Sequence, residues 1–373
     1  MNILIFSWRA LGHPHAGGAE KVTFNHAKAW VKAGHKVTIF SSSFNNSKKN
    51  EVIEGVEILR SGDEIFGVRV NAFFWYLSSS SRRYDLVVDE VHGLPFFTPI
   101  FVRVPKMVFI HEVAKEVWIL NPWPKPFNLI PAFFGFFLEP FIYKIFYKKI
   151  KFLTVSKSTK DDLVGWGIPK ENINIIQNGL DINKPKKIFQ KQKKTTLIFL
   201  GSLSKDKGIE DAIKCFSKLS SLNKDWQFWI IGKSDSSYLN YLKNLAKRFN
   251  VSNHIKFWGF VNENKKVELL SKSHLLINPS IREGWGLNVI EAASLGVPTV
   301  GYNVPGLKDS IVNNKTGYLS SPNPEDLSIK TLRLINDQAT YKRFQTNCID
   351  WSKKFNWGIS TKKSLTLIKK ITQ

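Results

Sequence analysis

Short apolar runs recur along this chain, each followed by a segment with helical spacing, and this alternation restricts the folds open to it. Ile3–Phe6 reads as a first buried strand, Ala19–Ala33 as a helix stopped by Gly34, and Val37–Ser41 as a second strand. Val52–Arg60, Leu86–Val88, Met107–Ile110 and Phe152–Val155 read as further strands, and Asn71–Leu77 opens a helix. Strands separated by helices pair in parallel through βαβ units. In such sheets ligands sit beyond the carboxyl ends of the strands, so polar residues just after each run are the first candidates for a site.

The pattern runs twice. After the Lys-rich stretch Asn183–Lys194, strands are expected at Thr196–Leu200, Trp226–Ile231, Ile255–Phe257, Leu275–Asn278 and Thr299–Gly301. Helices are expected at Ile209–Leu219, Tyr238–Phe249, Lys265–Ser271 and Leu287–Leu295. The 373 residues match two domains at roughly 150 residues each. The expected architecture is α/β: two Rossmann-like doubly wound domains facing a central cleft. The expected boundaries are 1–182, a linker at 183–194, 195–345, and a C-terminal helical segment, 346–373, packing back on the first domain.

Composition narrows the function. Only Cys215 and Cys348 are present, which excludes a disulfide scaffold and a structural zinc site made of cysteines alone, and fits a reducing compartment. The formal net charge is +24, from 54 Lys+Arg against 30 Asp+Glu. Such an excess fits nucleic acid, an anionic membrane or a phosphate-bearing substrate. Only 10 of the 54 are Arg, the residue suited to bidentate base and phosphate readout, so nucleic acid is the weakest of the three. Met1–Phe6 lacks a basic leader and ends at Ser7, as a strand does and a signal peptide does not. Pro126–Leu138 is uncharged but short for a membrane span of about 20 residues, and Pro131 interrupts it.

The strongest local motif is Arg282-Glu283-Gly284-Trp285-Gly286-Leu287-Asn288-Val289-Ile290-Glu291. Two glycines ahead of a helix let backbone approach a ligand, and the first N–H groups, at Gly286 and Leu287, form an anion site. Glu283 stands in the loop and Glu291 about one turn inside the helix, so two carboxylates can meet different parts of one ligand. On residue type alone, a helix with a glycine-rich start and acidic capping remains the alternative.

The Glu-x7-Glu spacing within Glu-Gly-x-Gly-Leu…Glu-Ala resembles the signature of retaining GT-B glycosyltransferases of family 4. The resemblance extends along most of the chain. Leu11-Gly12…Gly17-Gly18-Ala19-Glu20 is similar to the glycine-rich first loop, and Ile110-His111-Glu112 to the strand-end histidine. Thr154–Ser158, Ile176–Asp181, Leu200-Gly201…Lys207-Gly208, Phe257–Val261 and Asn356-Trp357 match further family segments in order. The resemblance implies a nucleotide-sugar donor, and a glycan or lipid-linked acceptor carried by the N-terminal domain. Catalytic roles would fall to His111, Glu283 and Lys207. Substrate contacts would come from Gly17, Gly18, Ser202, Lys205, Val261, Gly284, Trp285, Gly286, Leu287 and Glu291. Glu283 would hydrogen-bond sugar hydroxyls, Glu291 the ribose, and His111 would face the donor sugar. Ser202 departs from the family, which usually has Arg there, so Lys205 becomes the substitute cation.

No metal or other cofactor is expected: the chain has no Asp-x-Asp pair in a glycine-rich turn, and His13 and His15 have no clear third ligand. Other classes stay open: a non-catalytic sugar-nucleotide binder, and a GT-B epimerase or phosphorylase. Residues 121–151 hold ten aromatics, from Trp123 through Tyr147, five lysines and one acid, Glu139. This belt reads equally as a contact with anionic membrane or as a buried helix with snorkelling lysines. The expected location is the cytoplasm, with the inner face of the membrane as the peripheral alternative.

Overall fold

The computed structural model describes residues 1–80, 84–120, 125–180, 189–223 and 225–373. The chain divides into two units, Met1–Gly179 with Asn356–Gln373, and Leu180–Phe355. The first unit is built on β1 (Asn2–Phe6), β2 (Lys36–Ser41), β3 (Asn50–Ile53), β4 (Val56–Arg60), β5 (Leu86–Val91), β6 (Lys106–Ile110), β7 (Lys151–Thr154) and β8 (Ile173–Ile175). They lie in the order β3-β4-β2-β1-β5-β6-β7-β8, all parallel except the β3–β4 pair. The second unit holds β9 (Thr195–Leu200), β10 (Trp226–Ile231), β11 (Ile255–Gly259), β12 (Leu275–Asn278), β13 (Thr299–Tyr302) and β14 (Gly317–Ser320). Its order is β11-β10-β9-β12-β13-β14, parallel throughout. The α/β architecture with two Rossmann-like parallel sheets is therefore as the alternation implies.

Parallel strands in such sheets are covered on both faces and read as unbroken apolar runs. β9 shows why. Leu197 and Phe199 join a core with Phe216 and Phe228, while Ile198 points to the opposite core with Leu276, Val289 and Ile311. In the first sheet Leu4 and Phe6 pack against Phe40, Tyr76 and Phe96, and Val108 and Ile110 against Tyr143, Tyr147 and Phe152. Winding reverses between β1 and β5 and between β9 and β12. Those are the switch points at which a doubly wound sheet opens to a ligand.

Several expectations change. Val52–Arg60 is the end of a hairpin rather than one strand: Glu54 (φ 47°) and Gly55 (φ 83°) turn the chain between β3 and β4, the pair of positive φ values that a two-residue hairpin turn needs. β8 and β14 are edge strands of three and four residues, too short to stand out by pattern. The segment 346–373 is divided between the two units. The helix Gln338–Ser352 buries Phe344 and Cys348 in the second unit, and only the chain from Asn356 lies with the first. Of the expected linker, residues 183–188 lie outside the described residues, while Lys191 is half-buried and donates to the Ser273 carbonyl at 2.6 Å.

The aromatic belt also differs from expectation. Pro131 falls in the first turn of the helix Leu129–Ile142, where a missing N–H costs nothing, so it does not interrupt. A wider turn carries the helix on to Tyr147. By length and composition Leu129–Tyr147 is long and apolar enough to cross a membrane. Its last turns are nonetheless core: Tyr143 and Tyr147 are buried, and the Tyr147 hydroxyl donates to Asp89 at 2.7 Å. Its earlier turns are exposed, with Phe133 at 61% and Phe137 and Phe141 at 58%, so the buried-helix reading holds only for the C-terminal end. Glu139, the belt's one acid, is turned inward and accepts from the Ala114 and Lys115 N–H groups and from Trp118 Nε1 at 3.1, 3.2 and 2.9 Å. Trp123 lies outside the described residues.

The last helix, Trp357–Thr372, is fixed to the helix Gly18–Lys32 through a buried hydroxyl. Ser364 Oγ lies 2.9 Å from His26 Nδ1 and accepts from Trp30 Nε1 at 3.0 Å. Burial, then the nearby His111, lowers the His26 pKa to about 3, so its ring stays neutral at physiological pH. Ser364→Ala strands the Trp30 indole N–H in the core. It should cost about 1–3 kcal/mol, read as a lower urea midpoint with an unchanged slope.

Candidate functional site

At the end of β9 the chain passes through Gly201, Ser202 and Leu203 into a tight turn, Lys205–Lys207. Gly208 closes the turn at φ 69°, and a Cβ there would stand 2.0 Å from the Pro279 carbonyl oxygen. Only glycine lets this turn lie against the loop after β12, where the Ile281 N–H donates to the Asp206 carbonyl at 2.8 Å. That stitch sets Lys207 Nζ 3.1 Å from Glu283 Oε1. Ser280 Oγ lies 2.8 Å from the same oxygen and 2.8 Å from Asn278 Oδ1. The loop after β13 braces Glu283 from the other side. The Glu283 N–H donates to the Pro305 carbonyl at 3.1 Å, and a Cβ on Gly306 (φ 80°) would be 1.9 Å from the Glu283 carbonyl oxygen.

An amide relay joins these loops to the helix behind them. Asn278 Nδ2 donates to Asn288 Oδ1 at 3.2 Å, and Asn288 Nδ2 donates to the Leu200 carbonyl at 2.7 Å. The carboxyl ends of β9 and β12 are thereby tied to the start of the helix Leu287–Ser294. Gly286 enters that helix in the left-handed region, φ 79°, and the leading N–H groups have no partner within the helix. Glu291, one turn in, pairs with Lys266 at 2.8 Å. Burial works against the Lys266 charge, but Glu291 and Glu263 outweigh it and raise its pKa. Lys266 is a residue that sequence reasoning missed: it lies in the helix Glu263–Lys272 among other charged residues, and nothing local singles it out.

The other expected residues of this unit fall into two groups. Ser202 and Lys205 are exposed, and Gly284 and Leu287 half-buried, in the loops just described. Trp285 is buried edge-on against Phe355, ring centroids 5.2 Å apart. Val261 packs half-buried against the core of its own sheet.

In the first unit, β1, β5 and β6 end side by side. They deliver Trp8, then Glu90 and His92, then His111 to the switch point. The Trp8 and His92 rings stack at 5.1 Å, and His92 and His111 at 5.5 Å with 22° between planes. Glu90 Oε1 lies 3.5 Å from His111 Nε2 and 3.7 Å from His92 Nε2. It accepts from Thr23 Oγ1, on the helix Gly18–Lys32, at 2.7 Å. Burial opposes ionisation of Glu90, yet His111 and His92 hold its carboxyl well below the usual range. His92 is raised despite burial by Glu90, Glu20 and Glu112, whereas burial and the His92 charge lower His111. Sequence reasoning found His111 and missed Glu90 and His92, although Asp89-Glu90-Val91-His92 follows a strand in the manner of a strand-end motif. Gly17 and Gly18 open the neighbouring helix, where the Gly17 N–H donates to Glu20 Oε2 at 2.7 Å and Trp8 Nε1 to Glu20 Oε1 at 3.1 Å.

Among the described residues, two clusters have metal-ligand composition: Glu90, His92 and His111, and His13, His15 and Glu64. In the first, both imidazole Nε2 atoms already lie beside the Glu90 carboxylate, at 3.5 and 3.7 Å. In the second, Glu64 is the third group that was not evident in sequence. Its other oxygen is held by Arg9 at 2.7 Å, a cation where a metal would need free charge. A cavity of about 510 Å³ along β8 and the last helix, lined by Asn174, Ile176, Lys362, Lys363 and Lys370 among others, includes none of the expected site residues.

Family comparison fits this layout. The model for Glycosyltransferase Family 4 matches residues 16–184, and that for Glycosyl transferases group 1 matches residues 181–351. The chain is a family 4 glycosyltransferase. An uncharacterized glycosyltransferase of Methanocaldococcus jannaschii is 26% identical over 239 residues, 60% of each chain, so the match spans about three fifths of that relative. Glycogen synthase of Mycobacterium tuberculosis is 22% identical over 382 residues, covering 92% of this chain and 88% of that one. Among solved structures, sucrose-phosphate synthase of Thermosynechococcus elongatus superposes with a TM-score of 0.79 at 17% identity, covering 99% and 98% of the two chains. Anabaena HepE, solved in complex with UDP and glucose, gives 0.72 at 17% identity, covering 99% and 100%. These structural likenesses are of the GT-B fold.

The bracing of Glu283 is testable in this glycosyltransferase. Gly306→Ala should abolish transfer, because its methyl group cannot share space with the Glu283 carbonyl. Gly34→Ala, also at positive φ but with nothing within 4 Å, should keep near wild-type transfer and lose only about 1–2 kcal/mol of stability.

Proposed function

We propose that this glycosyltransferase moves a hexose from a UDP- or GDP-sugar to a glycan or lipid-linked acceptor, with retention at the anomeric carbon, in synthesis of cell-surface polysaccharide or glycolipid. The observation that carries the donor assignment is the placement of Glu283 beside Lys207 at the β9/β12 switch point, with the Gly286–Leu287 helix start on the same loop. Sugar hydroxyls need acceptors of fixed geometry, and Glu283 is held on both sides. The departing diphosphate gains negative charge as the anomeric C–O bond breaks. Lys207, exposed Lys205 and the leading helix N–H groups are donors of the kind that stabilise such charge. The new bond forms on the same face, and the acceptor hydroxyl proton passes to the leaving phosphate oxygen. This route uses no metal. The complex of HepE with UDP and glucose supports the donor class, and retention rests on the family resemblance.

Glu283→Gln should lower kcat/KM by about 100-fold or more, measured with the best donor from a panel of UDP- and GDP-sugars. Wild-type rate in that variant would overturn the assignment, and NMR of the product's anomeric proton decides retention.

The lipid-linked acceptor draws on the helix Leu129–Ile142. Phe133, Phe137 and Phe141 are exposed there, Lys144, Lys148 and Lys149 follow, and the single acid is turned inward. Apolar side chains flanked by lysines suit the interface of an anionic bilayer. The protein should sediment with phosphatidylglycerol vesicles at low salt. Phe137→Asp together with Phe141→Asp should abolish that binding, and failure of the wild type to sediment would remove the membrane from this proposal.

A further inference from the structure

The hydroxyl of Thr23 carries one proton, and the structure shows where it goes. Thr23 Oγ1 lies 2.7 Å from Glu90 Oε1 and 3.4 Å from His111 Nε2. An ionised carboxylate only accepts, so the short contact is a donation from Thr23 to Glu90. With its proton committed, Thr23 can meet His111 only as an acceptor, and His111 Nε2 must carry the hydrogen. The Glu90 oxygen, 3.5 Å from the same nitrogen, favours that hydrogen electrostatically. No described residue hydrogen-bonds His111 Nδ1.

We propose that Thr23 and Glu90 are positioning residues that hold His111 as the neutral Nε2–H tautomer, presenting the Nδ1 lone pair as a hydrogen-bond acceptor for a substrate hydroxyl. His92 completes the unit. It is stacked between the Trp8 ring and His111, and Glu90 raises its pKa against the effect of burial. Arg9 lies over the Trp8 ring, 3.8 Å from its centroid. The ionisable groups acting on the pair are Glu20 and His26 from the helix Gly18–Lys32, Glu90 from β5, and Glu112 after β6. The carboxylates favour charge on His92. Burial and the His92 charge disfavour a second proton on His111. An acceptor nitrogen suits the hydroxyl-rich ligand of the sugar-transfer reading, on which the substrate clause of this proposal rests.

The tautomer is read directly, without turnover, from ring-nitrogen shifts in two-dimensional ¹⁵N–¹H spectra of the full chain. His111 should show a protonated Nε2 and a bare Nδ1 at pH 7.5, and His92 should titrate above the ordinary imidazole range. Glu90→Gln should lower the His92 pKa by about one unit or more. Thr23→Val should mix the His111 tautomers, and Thr23→Ser should restore the single form. In transfer assays Thr23→Val should lower kcat about 10-fold with donor KM changed less than about twofold, and Thr23→Ser should recover it. An Nδ1–H tautomer in the wild type, or spectra unmoved by Glu90→Gln and Thr23→Val, overturns the proposal. Correct tautomers in a protein that transfers no sugar would instead refute the function proposed above.

Discussion

A parallel sheet covered on both faces leaves its strand ends as the place for polar chemistry. Leu197, Ile198 and Phe199 are committed to cores on alternating sides, and in the other unit Leu4, Phe6, Val108 and Ile110 are committed to buried clusters. Glu283, Lys207, Glu90, His92 and His111 all stand within a few residues of a strand's carboxyl end or on the loop that follows it. The same constraint explains the amide relay. Once the strands are buried, the loops leaving β9 and β12 are held by Asn278, Asn288 and the Leu200 carbonyl rather than by further sheet pairing.

Much of this was legible in the sequence, for a physical reason. Residues buried on both faces write unbroken apolar runs, and the glycines at 284 and 286 mark a backbone that must come close to something. The resemblance to the family then assigned Glu283, Lys207 and His111. The misses share a cause as well. The β3–β4 hairpin turns on positive φ at Glu54, a residue that does not advertise it. The packing of Trp285 on Phe355, 70 residues away, is likewise not written in the local sequence. Lys266 and Glu291 are 25 residues apart, and Thr23 and Glu90 67. Partnerships at such separations are set by helix–sheet packing, which one-dimensional spacing does not encode.

The charge of +24 acquires a partial structure. Lys207 and Lys266 are tied to the two carboxylates of the Glu-x7-Glu motif, so they neutralise as well as attract. The belt keeps Lys125, Lys144, Lys148 and Lys149 outward and spends its one acid on folding the segment Lys115–Leu120. The sign of that surface thus follows from an inward hydrogen-bonding duty, not from the total count.

The buried Ser364 hydroxyl joins residues 338 positions apart, from His26 near the start of the chain to a helix at its end. The first unit therefore lacks a structural part until the helix Trp357–Thr372 has emerged from the ribosome. Its sheet can assemble early, but the face covered by the last helix stays open while the whole second unit is made. A late-arriving segment of this kind lengthens the sequence distance that folding must close. It also exposes the nascent unit to chaperones, and to premature association, for the time it takes to translate some 180 residues.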